Sequence, residues 1–318
     1  MVIKKLKSFQ VRQGNKILNY RSGEKLDLSR IKSFFQDSYN VKKLWNASRH
    51  VLGILTKNDV DYFLKLSTSE GISVVTKNEY SWNDYFNKYF PKELPYQVPK
   101  NFKSGLYQQK FFYLITDYFD GEILCDINED ATQLPIYIED IILLSELIQK
   151  MPKIKFSTCQ YEDKAADFKQ KFTDKANKWF NDIPTGVRKK FKTDILLKIV
   201  EKGVDELISR PRHGDFTPWH MIRLQNSRLG LIDGEHSRSD SVEGYDICYL
   251  IQRVFSVLKN PSIAQNIYFR LLTKGYEKNK LKTVLAARAI GGFLDESLAE
   301  KSEYNFANQF KDWIIQLD

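Results

Sequence analysis

Residues 212–236 read Arg-His-Gly-Asp-Phe-Thr-Pro-Trp-His-Met-Ile-Arg-Leu-Gln-Asn-Ser-Arg-Leu-Gly-Leu-Ile-Asp-Gly-Glu-His, and the fold turns on them. Three of the four histidines in the chain fall here, His213, His220 and His236, beside three carboxylates, Asp215, Asp233 and Glu235. Residues 221–224 and 229–232 are short apolar-rich runs around the polar turn Gln225-Asn226-Ser227-Arg228, which predicts a β-hairpin. A turn centred between Asn226 and Ser227 sets Leu224 against Leu229, Ile222 against Leu231 and His220 against Asp233. His220 and Asp233 then meet at the open end of the hairpin, with Asp215 one loop away. Two carboxylates and an imidazole gathered at a rigid corner suit a hard divalent cation and a proton-accepting base.

Upstream, the apolar period changes to two. Residues 41–45, 51–55 and 60–66 read as three antiparallel strands, joined by loops at 46–49 and 56–59. In the third, alternation puts Lys65 on the face of Phe63, with Tyr62, Leu64 and Leu66 on the other. A lysine in so apolar a strand needs an anionic partner or a route to solvent. Glu79 is the candidate partner: on a helix it shares the apolar face of Trp82, Phe86 and Tyr89. Residues 1–27 read as a strand pair or an arm. Asp27 or Ser29 caps a helix running to about Phe35. Residues 111–121 read as a buried strand ending at a glycine turn.

Beyond it the pattern is helical. Ile138, Ile141, Ile142, Ser145 and Ile148 mark one helix, and Tyr161, Ala165, Phe168, Phe172, Ala176 and Trp179 a second. Val187, Phe191, Ile195, Ile199 and Val204 mark a third, ending before Arg210-Pro211. After the hairpin, Asp246 reads as the N-cap of another helix, and residues 262–275, 281–300 and 304–317 as three closing helices.

The His213-Gly214-Asp215 segment followed by Asp233, with Lys65 and Glu79 upstream, resembles the aminoglycoside phosphotransferase and choline kinase families. These are small-molecule kinases similar in fold to protein kinases. The resemblance implies an α+β, two-lobed protein-kinase-like fold. A small antiparallel β-rich lobe would span residues 1–117 and a larger helical lobe residues 118–318. In the kinase signature a catalytic-loop Asp is followed five residues later by a metal-binding Asn, and a second metal-binding Asp comes further on. Asp215 matches the first and Asp233 the last; His220 stands where the Asn would be.

The resemblance further implies that Asp215 orients and deprotonates an acceptor hydroxyl. Lys65, held by Glu79, would cover the α- and β-phosphates of ATP, and Asp233 would hold Mg²⁺ with help from His220. Because imidazole suits softer ions, Mn²⁺ is a second candidate. The corner Asn46-Ala47-Ser48 occupies the place of the phosphate loop, without a glycine, and Ser48 is its candidate phosphate contact. Thr116, Asp117 and Tyr118 fall at the hinge whose backbone would bind adenine. The acceptor would be a hydroxylated small molecule, with Asp295, Glu296, Glu300 and Glu303 available should it be cationic.

Two other classes stand beside this one. A catalytically inactive nucleotide-binding protein or scaffold would accommodate His220 and the glycine-free loop. A transition-metal hydrolase would use His213, Asp215, His220, Asp233 and His236, but would leave Lys65 and Glu79 unexplained.

With 318 residues, 42% apolar and 14% aromatic, the chain has ample material for a core. The net charge of +9 is spread, without a basic block or a zinc-finger spacing, so a solvated basic surface is expected and no nucleic-acid partner. Cys125, Cys159 and Cys248 are odd in number and far apart, which points to a reducing cytoplasm. No run approaches the roughly 18 apolar residues of a membrane span, and no membrane partner is expected.

Overall fold

The computed structural model describes residues 6–127, 131–157, 159 and 167–317. The first elements are a strand pair, β1 (Gln10–Gln13) and β2 (Lys16–Asn19), and helix α1 (Leu28–Gln36). Asp27 caps α1 by accepting the Ser29 N–H. Strands β3 (Asn40–Ala47), β4 (His50–Lys57) and β5 (Val60–Ser67) follow as an antiparallel meander, as the period of two predicts. Helix α2 (Glu70–Tyr89) starts at a Ser69 cap. Glu79 therefore sits in mid-helix, clear of the helix N-terminus. Strands β6 (Tyr96–Gln97), β7 (Asn101–Tyr107), β8 (Phe111–Asp117) and β9 (Gly121–Ile123) come next.

A five-stranded antiparallel sheet, in the order β3-β4-β5-β8-β7, forms the smaller lobe. Its two faces differ as alternation requires. Leu64, Leu66, Val51, Leu55, Tyr113 and Ile115 pack with Ile31 and Phe35 of α1. Lys65 belongs to the opposite face, where α2 lies.

The larger lobe holds α3 (Leu134–Lys150), α4 (Phe168–Asp182), α5 (Thr185–Phe191), α6 (Asp194–Gly203), β10 (Ser209–Arg212), β11 (Met221–Leu224), β12 (Leu229–Leu231) and β13 (Arg238–Val242). It ends with α7 (Tyr245–Ser256), α8 (Pro261–Thr273), α9 (Lys278–Leu298) and α10 (Asn305–Gln316), the closing helices being where the pattern set them. Four expectations need correcting. The helix predicted through Val187 and Val204 is two, α5 and α6, because Lys192 adopts a left-handed conformation, φ 50°, between them. Asp246 lies inside the first turn of α7, and the cap position is Gly244 at φ 69°. Residues 209–212 form a strand the sequence did not announce; Pro211 sits in it where the β10–β13 register is irregular. Tyr161 and Ala165, assigned to the second helix, lie outside the described residues.

The fourth correction concerns the hairpin. It forms, but one residue out of register: Met221 opposes Leu231, Ile222 opposes Gly230 and Arg223 opposes Leu229. Ser227 takes a left-handed conformation, φ 61°, and Leu224 N–H bonds to Arg228 O, so the loop has three residues rather than four. His220 consequently opposes Ile232, whose N–H it accepts at 3.0 Å. The hairpin joins a four-stranded sheet in the order β6-β12-β11-β9.

The two lobes share material. The C-terminal half of α2 buries Trp82, Tyr85 and Phe86 in the core of the larger lobe, and β6 pairs with β12 there. The turn before β1 reaches across as well: Ser8 donates to Asp182 of α4, and Lys175 of α4 donates to Ser8 O. Among the described residues no helix is long and apolar enough to cross a membrane.

Candidate active site

The cleft between the lobes gathers the predicted residues around one ammonium group. Lys65 Nζ lies 2.6 Å from Glu79 Oε2, 2.6 Å from Asp233 Oδ1 and 2.9 Å from Glu235 Oε1. The strand supplies the lysine, α2 supplies Glu79, and the segment after β12 supplies the other two acids. Burial works against the charged lysine, and the three carboxylates overcome it, so its pKa stands well above the ordinary value.

Glu235 is fully buried and is the most heavily compensated of the three acids. Arg49 Nη2 is 2.8 Å from Oε2, and His50 Nε2 and Lys65 Nζ are each 2.9 Å from Oε1. Burial opposes its ionisation, but Arg49, Lys65 and His50 together hold its pKa well below normal. Asp233 is also held low, by Lys65 first, against its burial. The local balance is three carboxylates against the fixed charges of Lys65 and Arg49. Glu79 absorbs the surplus: burial pushes its pKa up to about 7, against the pull of Lys65.

Asp215, His220 and Asp233 form a second group, with one donor atom from each lying within 4.8 Å of the others. His220 Nδ1 is 3.0 Å from the Asp215 backbone O, and Nε2 is 3.3 Å from Asp233 Oδ2. A carbonyl oxygen only accepts, so Nδ1 carries a proton and donates it there. Nε2 then faces Asp233 either as a second donor or with its lone pair towards a shared cation. Two carboxylates and one imidazole fit a divalent ion of the Mg²⁺ or Mn²⁺ type. His213 and His236 do not join this group. His213 is fully buried against Trp82, ring centroids 5.5 Å apart, and burial lowers its pKa to about 3. The five-residue metal set of a hydrolase is therefore not assembled.

Local backbone explains why the segment folds this way. Gly214 has φ 90°, and a Cβ there would stand 2.2 Å from the His236 carbonyl oxygen. Gly234 meets Trp82 in the same way, a Cβ falling 2.2 Å from its Cδ1. Asp246 holds the turn: its carboxylate accepts the N–H groups of His213 and Gly214, each at 2.8 Å. Burial raises the Asp246 pKa to about 6 despite these bonds.

Ser48 is the exposed corner of the β3–β4 turn, at φ 37°, and lines the same cavity as Asp215. Thr116 is buried on β8, opposite Phe63 and two residues from Leu114, the partner of Lys65. Asp117 closes that strand by accepting the Lys100 N–H at 3.3 Å, and Tyr118 is exposed beyond it. Of the four acids that could receive a cationic acceptor, Asp295 is bound to Arg253 at 2.8 Å and Glu303 pairs with Lys259 and Lys301.

Comparison with solved structures sets this geometry in a fold. Aminoglycoside phosphotransferase APH(4)-Ia superposes with a TM-score of 0.69 at 12% identity, over 92% of this chain and 99% of that one. A thermostable mutant of the same enzyme, solved with ADP and hygromycin B, gives 0.65 at 12% identity, over 91% and 97%. Choline kinase LicA from Streptococcus pneumoniae gives 0.54 at 14% identity, over 91% and 98%. No family model and no curated protein sequence matches the chain. The chain thus has the two-lobed, kinase-like fold of these phosphotransferases.

Proposed function

We propose that the protein transfers the γ-phosphoryl group of ATP to a hydroxyl of a small molecule. The observation that carries this reading is the single constellation of Lys65 on Glu79 and Asp233, with Asp215 and His220 beside Asp233. Solved relatives in fold that hold ADP support a nucleotide in this cleft.

Lys65 would bind the α- and β-phosphates, with Glu79 keeping the ammonium in place. Thr116, Asp117 and Tyr118 border the adenine, and Ser48 at the β3–β4 turn lies over the phosphates. Asp233, with His220 beside it, would hold the divalent ion, which when bound would neutralise charge on the phosphates. Asp215 accepts the proton of the acceptor hydroxyl as its oxygen bonds to phosphorus; the bond from phosphorus to the β-phosphate oxygen breaks and ADP leaves. Asp246 fixes the Asp215 loop through the two backbone N–H groups it receives. Little covalent work falls to the protein, so positioning and charge neutralisation carry most of the rate.

The test is ADP release in the presence of ATP and a panel of hydroxylated acceptors. Asp215→Asn should retain nucleotide affinity and lose at least ~10²-fold in turnover, the lower end for a positioned base. A wild-type protein that binds ATP and phosphorylates none of the acceptors would instead support an inactive nucleotide-binding protein.

A further inference from the structure

We propose that the acceptor carries an anionic group, a phosphate or a carboxylate, held by Arg212 and Arg288 in the cavity beside Asp215. This rests on the phosphotransferase reading and names the substrate class of that same site. The cavity measures about 390 Å³ and includes Asp215 and Ser48 in its wall. Eight basic side chains line it against three carboxylates, Asp215, Asp240 and Asp295.

Much of this charge is internally matched. Arg49 is bound to Glu235 and Arg253 to Asp295, both at 2.8 Å, and Lys171 to Asp240 at 2.5 Å. Arg212 and Arg288 are different: among the described residues neither has a carboxylate within ion-pair distance. Both are held in place by neutral groups instead. Arg212 stacks 3.9 Å over the ring of Tyr245 and donates to Ser241 Oγ at 2.9 Å. Arg288, only 4% exposed, stacks 3.9 Å over Tyr249 and donates to Tyr245 Oη at 3.1 Å. The Nε of each is buried and, among the described residues, has no hydrogen-bond partner.

Arg212 stands directly opposite Arg238 in the β10–β13 ladder, and Arg238 is already paired with Asp240 at 3.3 Å. A guanidinium removed from water without an anion costs free energy. An arriving phosphate or carboxylate offsets that cost, by charge-assisted bonds to forks that Tyr245 and Tyr249 already orient. A cationic acceptor would meet only Asp215, since Asp240 and Asp295 are already paired.

In the reaction the anionic group stays intact. A separate hydroxyl of the same molecule bonds to the γ-phosphorus, its proton passes to Asp215, and ADP departs with the electrons of the broken bond.

The experiment uses the full chain, saturated with Mg²⁺ and ADP after ADP binding is measured on its own. Glucose 6-phosphate, glucuronate, glucose and glucosamine are then titrated calorimetrically. At least one of the two anions should bind about tenfold or more tightly than glucose and glucosamine, the scale of hydrogen bonds to charged groups. Comparing the two anions tells phosphate from carboxylate. Arg288→Gln and Arg212→Gln should each abolish the preference, while Arg288→Lys keeps part of it and ADP affinity stays within about twofold. Arg212 is partly exposed, so its variant carries the test if Arg288→Gln does not fold. Equal or weaker binding of both anions than of glucose or glucosamine overturns the proposal. So does an anion preference that survives both substitutions, or no binding of any sugar to a protein that binds ADP. Failure to bind ADP removes the phosphotransferase reading itself.

Discussion

His220 Nε2 stands 3.3 Å from Asp233 Oδ2, although the two residues are not paired across the hairpin. The neighbouring Nδ1 donates to the Asp215 carbonyl, which fixes the ring's orientation. An imidazole nitrogen beside Asp233 favours softer divalent ions than an amide oxygen would. His220→Asn should therefore lower the ratio of Mn²⁺- to Mg²⁺-supported turnover several-fold. The same shift should appear in the affinities of the two ions measured by calorimetry with ADP bound. Identical ratios in both proteins would show that His220 contributes only the Asp215 contact.

Lys65 is the common counter-ion of Glu79, Asp233 and Glu235. Removing it leaves the buried Glu79 and Glu235 and the half-buried Asp233 with Arg49, His50 and His220 beside them. Lys65→Ala should cost about 3–5 kcal/mol of stability, as for other broken buried pairs. Glu79→Ala relieves the surplus charge, so the double variant should be more stable than the sum of the single losses by about 1 kcal/mol or more. Both single variants should weaken ADP binding. Strictly additive stabilities in urea unfolding would mean that the two side chains do not act as a pair.

What could be read from the chain and what could not follows the range of each interaction. Lys65 and Glu79 were legible because strand alternation and helical spacing are local signals, and each put an ionisable group on an apolar face. The hairpin was legible as an element, but its register hung on the left-handed Ser227, where no glycine marks the position. The break at Lys192 was hidden for the same reason. Arg49 and His50 meet Glu235 only after β4 is laid against α2 and the segment after β12. The basic cavity was not legible at all: Arg212, Arg238 and Arg288 come from β10, β13 and α9, and no spacing in the chain relates them.

Asp246 offers a test of positioning apart from chemistry. Its two oxygens accept the N–H groups of His213 and Gly214, two and one residues before Asp215. In Asp246→Asn one acceptor becomes an NH₂ group facing a donor, and the turn must shift. A displacement of the order of 1 Å at Asp215 is enough to lower kcat about 10²-fold. ADP affinity, which the proposed mechanism assigns to Lys65 and Asp233, should change far less. An equal loss in kcat and in ADP affinity would argue for general unfolding of the segment instead.

His213 should make the protein sensitive to acid. Its ring is fully buried, packed on Trp82 and Phe216, and among the described residues neither nitrogen has a hydrogen-bond partner. Burial lowers its pKa to about 3, against roughly 6.5 in an unfolded chain. Between those values the unfolded state binds a proton that the folded state refuses. Stability from this residue is therefore complete above about pH 6.5 and is lost as the pH falls towards 3, at about 1.4 kcal/mol per unit. His236, lowered to about 4 by burial, adds to the same trend. Replacing His213 with leucine, which is close in volume and does not titrate, removes only the first contribution. Urea unfolding of both proteins at pH 7.5 and pH 5.0 isolates it, because the shared groups cancel in the comparison. The wild type should lose about 2 kcal/mol more than His213→Leu between the two conditions. Parallel losses would mean that the His213 ring takes up its proton inside the folded protein, and that the pocket beside Trp82 admits water.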